Sequence, residues 1–379
     1  MNKKTAFLLL FLIVTMSLFI NFLSLDKPNG FAFDEVYNIP TARDILNGIA
    51  PALPHPPLGF LIISSGKLIY PHDITGERMP SAVSGSICLI IVFFLAKKIT
   101  RKYLTGIIAV FFLLCDPLWF VFSRIAMLDI FVSVFILASV YFAMEKKYFF
   151  SGIMFALAIS VKWSALFIFP LFILLYFSED IRKRSNFKKI LIQFFSYILL
   201  PALVYYLIFA VSKDCFSIQS FVEQNILILK ILKSINSNIT YASPWWSWFV
   251  IPQYIPASAF YNDKFQIIKA VVFTENPQFL WFGIFSVFTL IYFSVKEKKL
   301  IYFIMPFCFI ILIFPYIFAK RATYIYYILP MLPFLQICMA VLLTEIVEKK
   351  SQIRMILLCC FQCLIVFVFL YPALTMRGF

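Results

Sequence analysis

Long apolar runs recur from one end of this chain to the other, each of roughly 18 to 22 residues, enough to cross the ~30 Å of hydrocarbon in a bilayer. No water reaches the backbone there, so only helices or closed barrels can satisfy its N–H and C=O groups. Barrel strands alternate polar and apolar residues, and these runs do not. The chain therefore reads as an all-α polytopic membrane protein. Its 63% hydrophobic content supports that reading, since soluble domains hold ~45–50%.

Eleven spans are expected, near residues 6–24, 81–96, 103–119, 127–144, 149–161, 163–178, 190–211, 278–295, 300–319, 323–344 and 354–372. The first has the positive start of a signal peptide. It is longer than an h-region and lacks a small-x-small cleavage site, so it reads as a retained helix. Residues 149–178 fit two short helices broken near Lys162 better than one long tilted helix. No linker, internal repeat or soluble insert is visible, and residues 1–379 read as a single membrane domain.

The net charge of +15 would suit a nucleic-acid surface if it were clustered on one. Instead the basic residues sit in short loops between apolar runs, which is topology information. With the N-terminus inside, the cytoplasmic loops hold 19 of the 33 basic residues and 6 of the 18 acidic ones, about +13 against +2 on the outer side. A cytoplasmic N-terminus and an extracytoplasmic C-terminus follow, in a protein of the cell membrane. The eight cysteines fall mostly within apolar runs, and Cys360-Phe361-Gln362-Cys363 reads as packing rather than redox or metal chemistry.

Two outer segments are long, residues 25–80 and 212–277, and these are expected to carry the site. Leu58 to Tyr70 is too short to span, contains Lys67, and reads as an interfacial or re-entrant helix in the first outer loop. Just past the first span come Asp34 and Glu35. Their plain reading is a solvated loop pair. Their functional reading is a general base, placed where a hydroxyl from the aqueous side meets a lipid-borne donor. Burial at the membrane surface would raise the pKa toward the working pH.

Cations on the same side strengthen the second reading. Arg78, Arg124, Lys162, Lys320 and Arg321 all lie next to hydrocarbon, where charge is expensive. Any one of them could snorkel. Five together suit a phosphate or pyrophosphate headgroup. Asp129 opens the fourth span, either as a salt-bridge partner or as a second acid. His55 lies between prolines as a loop residue or a site member. The cluster around Trp245 and Trp248 fits an interfacial belt or a platform for a sugar or peptide.

These residues, in this order, resemble the dolichyl-phosphate-mannose–protein mannosyltransferase family of the glycosyltransferase C fold. The matching pieces are Phe33-Asp34-Glu35, His55-Pro56-Pro57-Leu58-Gly59, Arg78-x-Pro80, and Ser123-Arg124 with Met127-Leu128-Asp129. They continue through Ser160-Val161-Lys162-Trp163, Pro244-Trp245-x-x-Trp248, and Tyr326 leading into Leu329-Pro330-x-Leu332-Pro333-Phe334. The resemblance implies that Asp34 is the catalytic carboxylate, with Glu35 supporting it or positioning the acceptor. By the same resemblance Arg78, Arg124 and Lys162 fall on the lipid-phosphate side; Lys320, Arg321 and Tyr326 are donor-side candidates with them, and His55, Asp129, Trp163, Trp245 and Trp248 are further candidates. Two positions depart from the family pattern: Phe60 stands where Lys is usual, and Tyr326-Tyr327-Ile328 replaces a Tyr-His-Tyr. The large domain that eukaryotic members insert in the second outer loop is absent, which points to an archaeal or bacterial member.

The reaction so implied is an inverting, metal-independent transfer of mannose or a related hexose. It would run from a dolichyl- or polyprenyl-phosphate carrier to Ser or Thr hydroxyls of proteins on the outer face. No cofactor is expected beyond the lipid-linked sugar itself. The partners are that donor, a protein acceptor and membrane lipids, with a dimer left open and nucleic acid excluded. One rival is the same chemistry on a lipid or cell-surface glycan. Another is a lipid-linked-sugar flippase without catalysis, although the repeat symmetry common in transporters is not evident.

Overall fold

The computed structural model describes residues 1–49, 51–180, 187–213, 217–234, 242–250, 253, 255–261, 267–274, 276–319 and 322–375. In chain order the first helices are α1 Lys3–Phe22, α2 Glu35–Leu46, α3 Leu58–Ile69, α4 Thr75–Thr100, α5 Tyr103–Leu114, α6 Pro117–Phe122, α7 Leu128–Met144 and α8 Tyr148–Val161. Then come α9 Phe169–Asp180, α10 Phe187–Phe194, α11 Leu200–Lys213, α12 Ile218–Ser234, α13 Pro277–Glu297, α14 Ile304–Ile317, α15 Leu332–Val341 and α16 Lys349–Thr375.

Among the described residues, six helical stretches are long and apolar enough to cross a membrane: Lys3–Phe22, Thr75–Thr100, Phe187–Ser212, Pro277–Glu297, Ile325–Ile346 and Lys349–Thr375. The chain is a multi-pass membrane protein. The Ile325–Ile346 stretch, which contains α15, is buried from Ile325 through Thr344. A helix that is apolar all round belongs in such a centre. The shorter apolar helices α5, α7, α8 and α14 reach only about 18–26 Å at 1.5 Å per residue. Surrounding helices cover much of their surface, so their ends need not meet lipid.

The break at Lys162 is a physical one. Helix α8 stops at Val161, Lys162 is extended (φ −157°, ψ 134°), and a 3-10 turn over Trp163–Ile168 leads into α9. The first outer segment holds two helices, with α3 covering the stretch expected to be interfacial and α2 starting at the Asp34-Glu35 pair. Helix α3 lies tightly on α4: a Cβ on Gly66 would collide with the Gly76 carbonyl and with Pro80.

The second outer segment departs from a helix-only reading. Beyond α12 and a 3-10 turn at Trp245–Phe249 lies an antiparallel hairpin, β1 Ile255–Tyr261 with β2 Ile267–Phe273. Its register runs from Ile255 opposite Phe273 to Tyr261 opposite Ile267, with an irregularity after Pro256. Ile267, Ile268, Val271 and Val272 explain the extended strand, because β-branched side chains suit a pleated surface.

Helices α4 and α7 set the two poles of the molecule. Arg78 and Asp129 lie at their starts. At their far ends Lys98 Nζ meets Glu145 Oε1 at 2.6 Å.

Candidate active site

The site begins with a strained turn. Phe33 has φ +49°, a left-handed conformation that costs free energy for any residue with a Cβ. Packing offsets it, because the Phe33 ring meets Tyr326 edge-on at 5.2 Å between centroids. The turn sends the next two carboxylates into different surroundings: Glu35 is fully buried and Asp34 is half-buried.

Glu35 is held from four directions. Its Oε1 accepts from Arg78 Nε (2.9 Å) and the Ala126 N–H (2.7 Å); Oε2 accepts from Arg78 Nη2 (2.7 Å) and the Ala32 N–H (2.8 Å). Arg78 gives its other N–H groups to the carbonyls of Leu25, Pro28 and Gly30, each at 3.0 Å. All five of its donors are therefore engaged, and the guanidinium is fully enclosed. The sequence placed Arg78 on the lipid-phosphate side and had Glu35 either supporting Asp34 or positioning the acceptor. The geometry instead makes the pair a clamp on residues 25–35, because a planar fork matches a carboxylate and neither charge tolerates burial unpaired.

Arg124 is committed in a similar way. Nη1 donates to the carbonyls of Ile20 (2.8 Å) and Asn21 (2.7 Å), and Nη2 to Ser24 O (2.8 Å). These belong to the C-terminal turn of α1 and the residues just after it, where backbone acceptors lack partners and the helix dipole favours a cation. Lys320 and Arg321 lie outside the described residues.

Asp34 faces a different chemistry. Lys162 Nζ grips Asp129 at 2.8 and 3.1 Å, with only 9% of Lys162 exposed. The ammonium also lies over the rings of Tyr327 (5.2 Å) and Tyr326 (5.8 Å). Tyr326 in turn points its hydroxyl at Asp34 Oδ2, at a long 3.4 Å. Desolvation raises the Asp34 pKa from its ordinary 3.8 to about 6; Lys162 pulls it down, Asp129 pushes it up and Tyr326 lowers it slightly. The result is a carboxylate poised to take a proton near neutral pH.

Beside this group opens a cleft of about 280 Å³ lined by His55, Lys162, Trp163, Tyr316, Ala319 and Tyr327, among others. Gly59 explains why His55 can lie there: a Cβ at this position would sit 2.6 Å from Leu128 Cδ2 and 3.1 Å from Val161 Cγ1. That contact draws His55-Pro56-Pro57 onto the residues that carry Asp129 and Lys162. Trp163 also anchors the cleft outward, its Nε1 donating to Tyr205 Oη (2.9 Å), which donates to Asn225 on α12 (2.6 Å).

The tryptophan cluster divides. Trp248 is fully buried, donates to Ser243 Oγ (3.0 Å) and packs on Tyr316 at 5.6 Å. It anchors its loop and offers no open face to a sugar. Trp245 is partly covered, and Trp246 is the exposed one. Sequence reasoning noted Tyr327 only as a departure from the family pattern, and it overlooked Tyr205, Asn225 and Asn38, whose Nδ2 donates to Ala126 O at 3.0 Å. For Asn38 a signal existed, as it lies one helical turn beyond Asp34.

The fold is the C-type scaffold seen in membrane glycosyltransferases. The S. cerevisiae protein O-mannosyltransferase Pmt1-Pmt2 complex bound to the sugar donor superposes with a TM-score of 0.85 at 12% identity, covering 99% of this chain and 91% of that one. ArnT from Cupriavidus metallidurans gives 0.63 at 15% identity, over 93% and 62% of the two chains. The Archaeoglobus fulgidus oligosaccharyltransferase gives 0.56 at 11%, over 98% and 55%. A family-wide sequence profile described as dolichyl-phosphate-mannose-protein mannosyltransferase matches residues 11–217, just over half of the sequence. The chain belongs to that family. A polyprenol-phosphate-mannose–protein mannosyltransferase of Mycobacterium tuberculosis is 33% identical over 138 residues, which is 35% of this chain and 26% of that protein. Its Corynebacterium glutamicum counterpart is 24% identical over 227 residues, 46% of this chain and 44% of that one. Both relatives are thus matched over less than half of their own length.

Proposed function

We propose that this protein transfers mannose, or a closely related hexose, from a polyprenyl- or dolichyl-phosphate carrier to Ser or Thr hydroxyls of proteins. The observation that carries the reading is Asp34, a half-buried carboxylate with its pKa raised to about 6 beside the Lys162–Asp129 pair. The acceptor oxygen attacks the anomeric carbon on the face opposite the phosphate, and Asp34 takes the hydroxyl proton. The bond from that carbon to the phosphate oxygen breaks, and the lipid phosphate leaves with the electron pair. A phosphate leaving group facing fixed cations needs no separate acid. Lys162 is the described cation next to the cleft, and Lys320 and Arg321 join it in the proposal. No metal is assigned a step.

The same reading has eleven crossings in one membrane domain, the N-terminus in the cytoplasm and the site on the outer face of the cell membrane. The gathering of lysines at the pole opposite Asp34 supports that orientation. The test is to incubate purified protein with labelled polyprenyl-phosphate-mannose and a Ser/Thr-rich peptide, with and without chelator. Labelled peptide in both samples is the expected result. Release of free mannose alone, or transfer only to a lipid or glycan, would reject the protein acceptor.

A further inference from the structure

A second cleft lies far from Asp34. It measures about 750 Å³ and lies where α4 ends, between Lys97, Lys98, Arg101, Tyr141, Lys299 and Tyr302. Twenty-six residues of α4 separate its two ends, about 39 Å at 1.5 Å per residue. The cleft therefore sits at the opposite membrane surface from the candidate active site.

Its charges are unbalanced in a specific way. Each of the two carboxylates on its wall already has a lysine: Glu145 meets Lys98 at 2.6 Å, and Glu345 meets Lys102 at 2.9 Å. Among the described residues, Lys97 and Arg101 have no acidic partner; Lys97 Nζ lies 4.6 Å from the Tyr103 ring centre instead. Below them an exposed apolar stripe on α4, Val83, Ile87 and Ile90, leads to the half-buried Phe94, which lines the cleft. The spacing of four, three and four residues keeps them on one face of the helix.

We infer that this cleft binds the phosphate headgroup of an anionic phospholipid in the leaflet opposite the active site, with its acyl chains laid along the α4 stripe. A soluble phosphate compound would satisfy Lys97 and Arg101 but would leave the stripe without a role. Cations at a membrane surface attract anionic lipid additively, and a groove joined to an apolar track adds chain contact. The inference is independent of the sugar transferred, since no cleft residue belongs to the candidate site.

Native mass spectrometry of delipidated protein tests it, titrating phosphatidylglycerol and phosphatidylcholine with matched chains, and with glycerol 3-phosphate as a soluble competitor. The variant is Lys97→Gln with Arg101→Asn, because asparagine tolerates the left-handed φ of +60° at residue 101. Lys98 and Lys102 stay, since they hold carboxylates. Wild type should prefer the anionic lipid roughly tenfold, and the variant should lose most of that preference. Should the variant fail to fold, a photoactivatable phosphatidylglycerol should crosslink to the end of α4 in wild type. Equal retention of both lipids, an unchanged preference in a folded variant, or crosslinks confined to other helices would each overturn the inference. Displacement by glycerol 3-phosphate at matched concentration would assign the cleft to a soluble phosphate and overturn the lipid as its occupant.

Discussion

Arg78 Nη2 lies 2.7 Å from Glu35 Oε2, and neither side chain reaches solvent. Arg78→Ala would leave the Glu35 carboxylate buried with only two backbone donors, a loss of about 3–5 kcal/mol for a broken buried pair. A large fall in the midpoint of thermal unfolding in detergent is expected. Arg78→Lys should rescue little, because one ammonium cannot span these five contacts. Donor affinity of the folded fraction should be unchanged; loss of donor binding at an unchanged midpoint would return Arg78 to the phosphate side.

Asp34 sets an expected pH dependence. A folded pKa of about 6 against an ordinary 3.8 means that the folded state holds its proton more tightly. The Asp34 contribution to stability is therefore full below about pH 4 and is lost as pH rises through about 6. Activity runs the other way, since only the ionised form accepts a proton: kcat/KM should rise with pH to a plateau above about 6. A profile flat from pH 5 to 8 would remove Asp34 as the base.

The neighbours of Asp34 should move that limb in opposite directions. Lys162 lowers the Asp34 pKa and Asp129 raises it. Lys162→Gln should therefore shift the limb to higher pH, and Asp129→Asn to lower pH. Shifts of the same sign would mean that the pair acts through folding and not through charge.

Gly59 is expected to be intolerant of a side chain. Gly59→Val places atoms where Leu128 and Val161 already are, an overpacking loss of about 1–3 kcal/mol. Leu128→Ala in the same chain should recover part of it, giving a favourable coupling in a double-mutant cycle. Simple additivity would show that Gly59 does not hold these segments together.

Much of this was legible because hydrocarbon imposes simple rules. The apolar runs marked the membrane helices, and the charged Lys162 inside such a run marked a break in its helix. Asp34 stood out as a carboxylate beside a membrane surface. The partnerships of Arg78 and Arg124 were not legible, since a cation near hydrocarbon looks alike whether it faces a ligand or backbone carbonyls. Those carbonyls carry no sequence signature: Leu25, Pro28 and Gly30 accept from Arg78 through main-chain atoms alone. Helix α12 and the hairpin were overlooked within a segment read only as a long loop, although Ile267 to Phe273 carried a strand pattern.

The central claim is that Asp34 takes the acceptor proton, and a paired assay of Asp34→Asn tests it most directly. Asparagine keeps the size of the side chain and can still accept from Tyr326, but it cannot take up a proton. Donor binding and sugar transfer would be measured on the same preparation at pH 7.5. The account predicts donor affinity within about twofold of wild type and turnover lower by about 10²–10⁴. Transfer at the wild-type rate would contradict it.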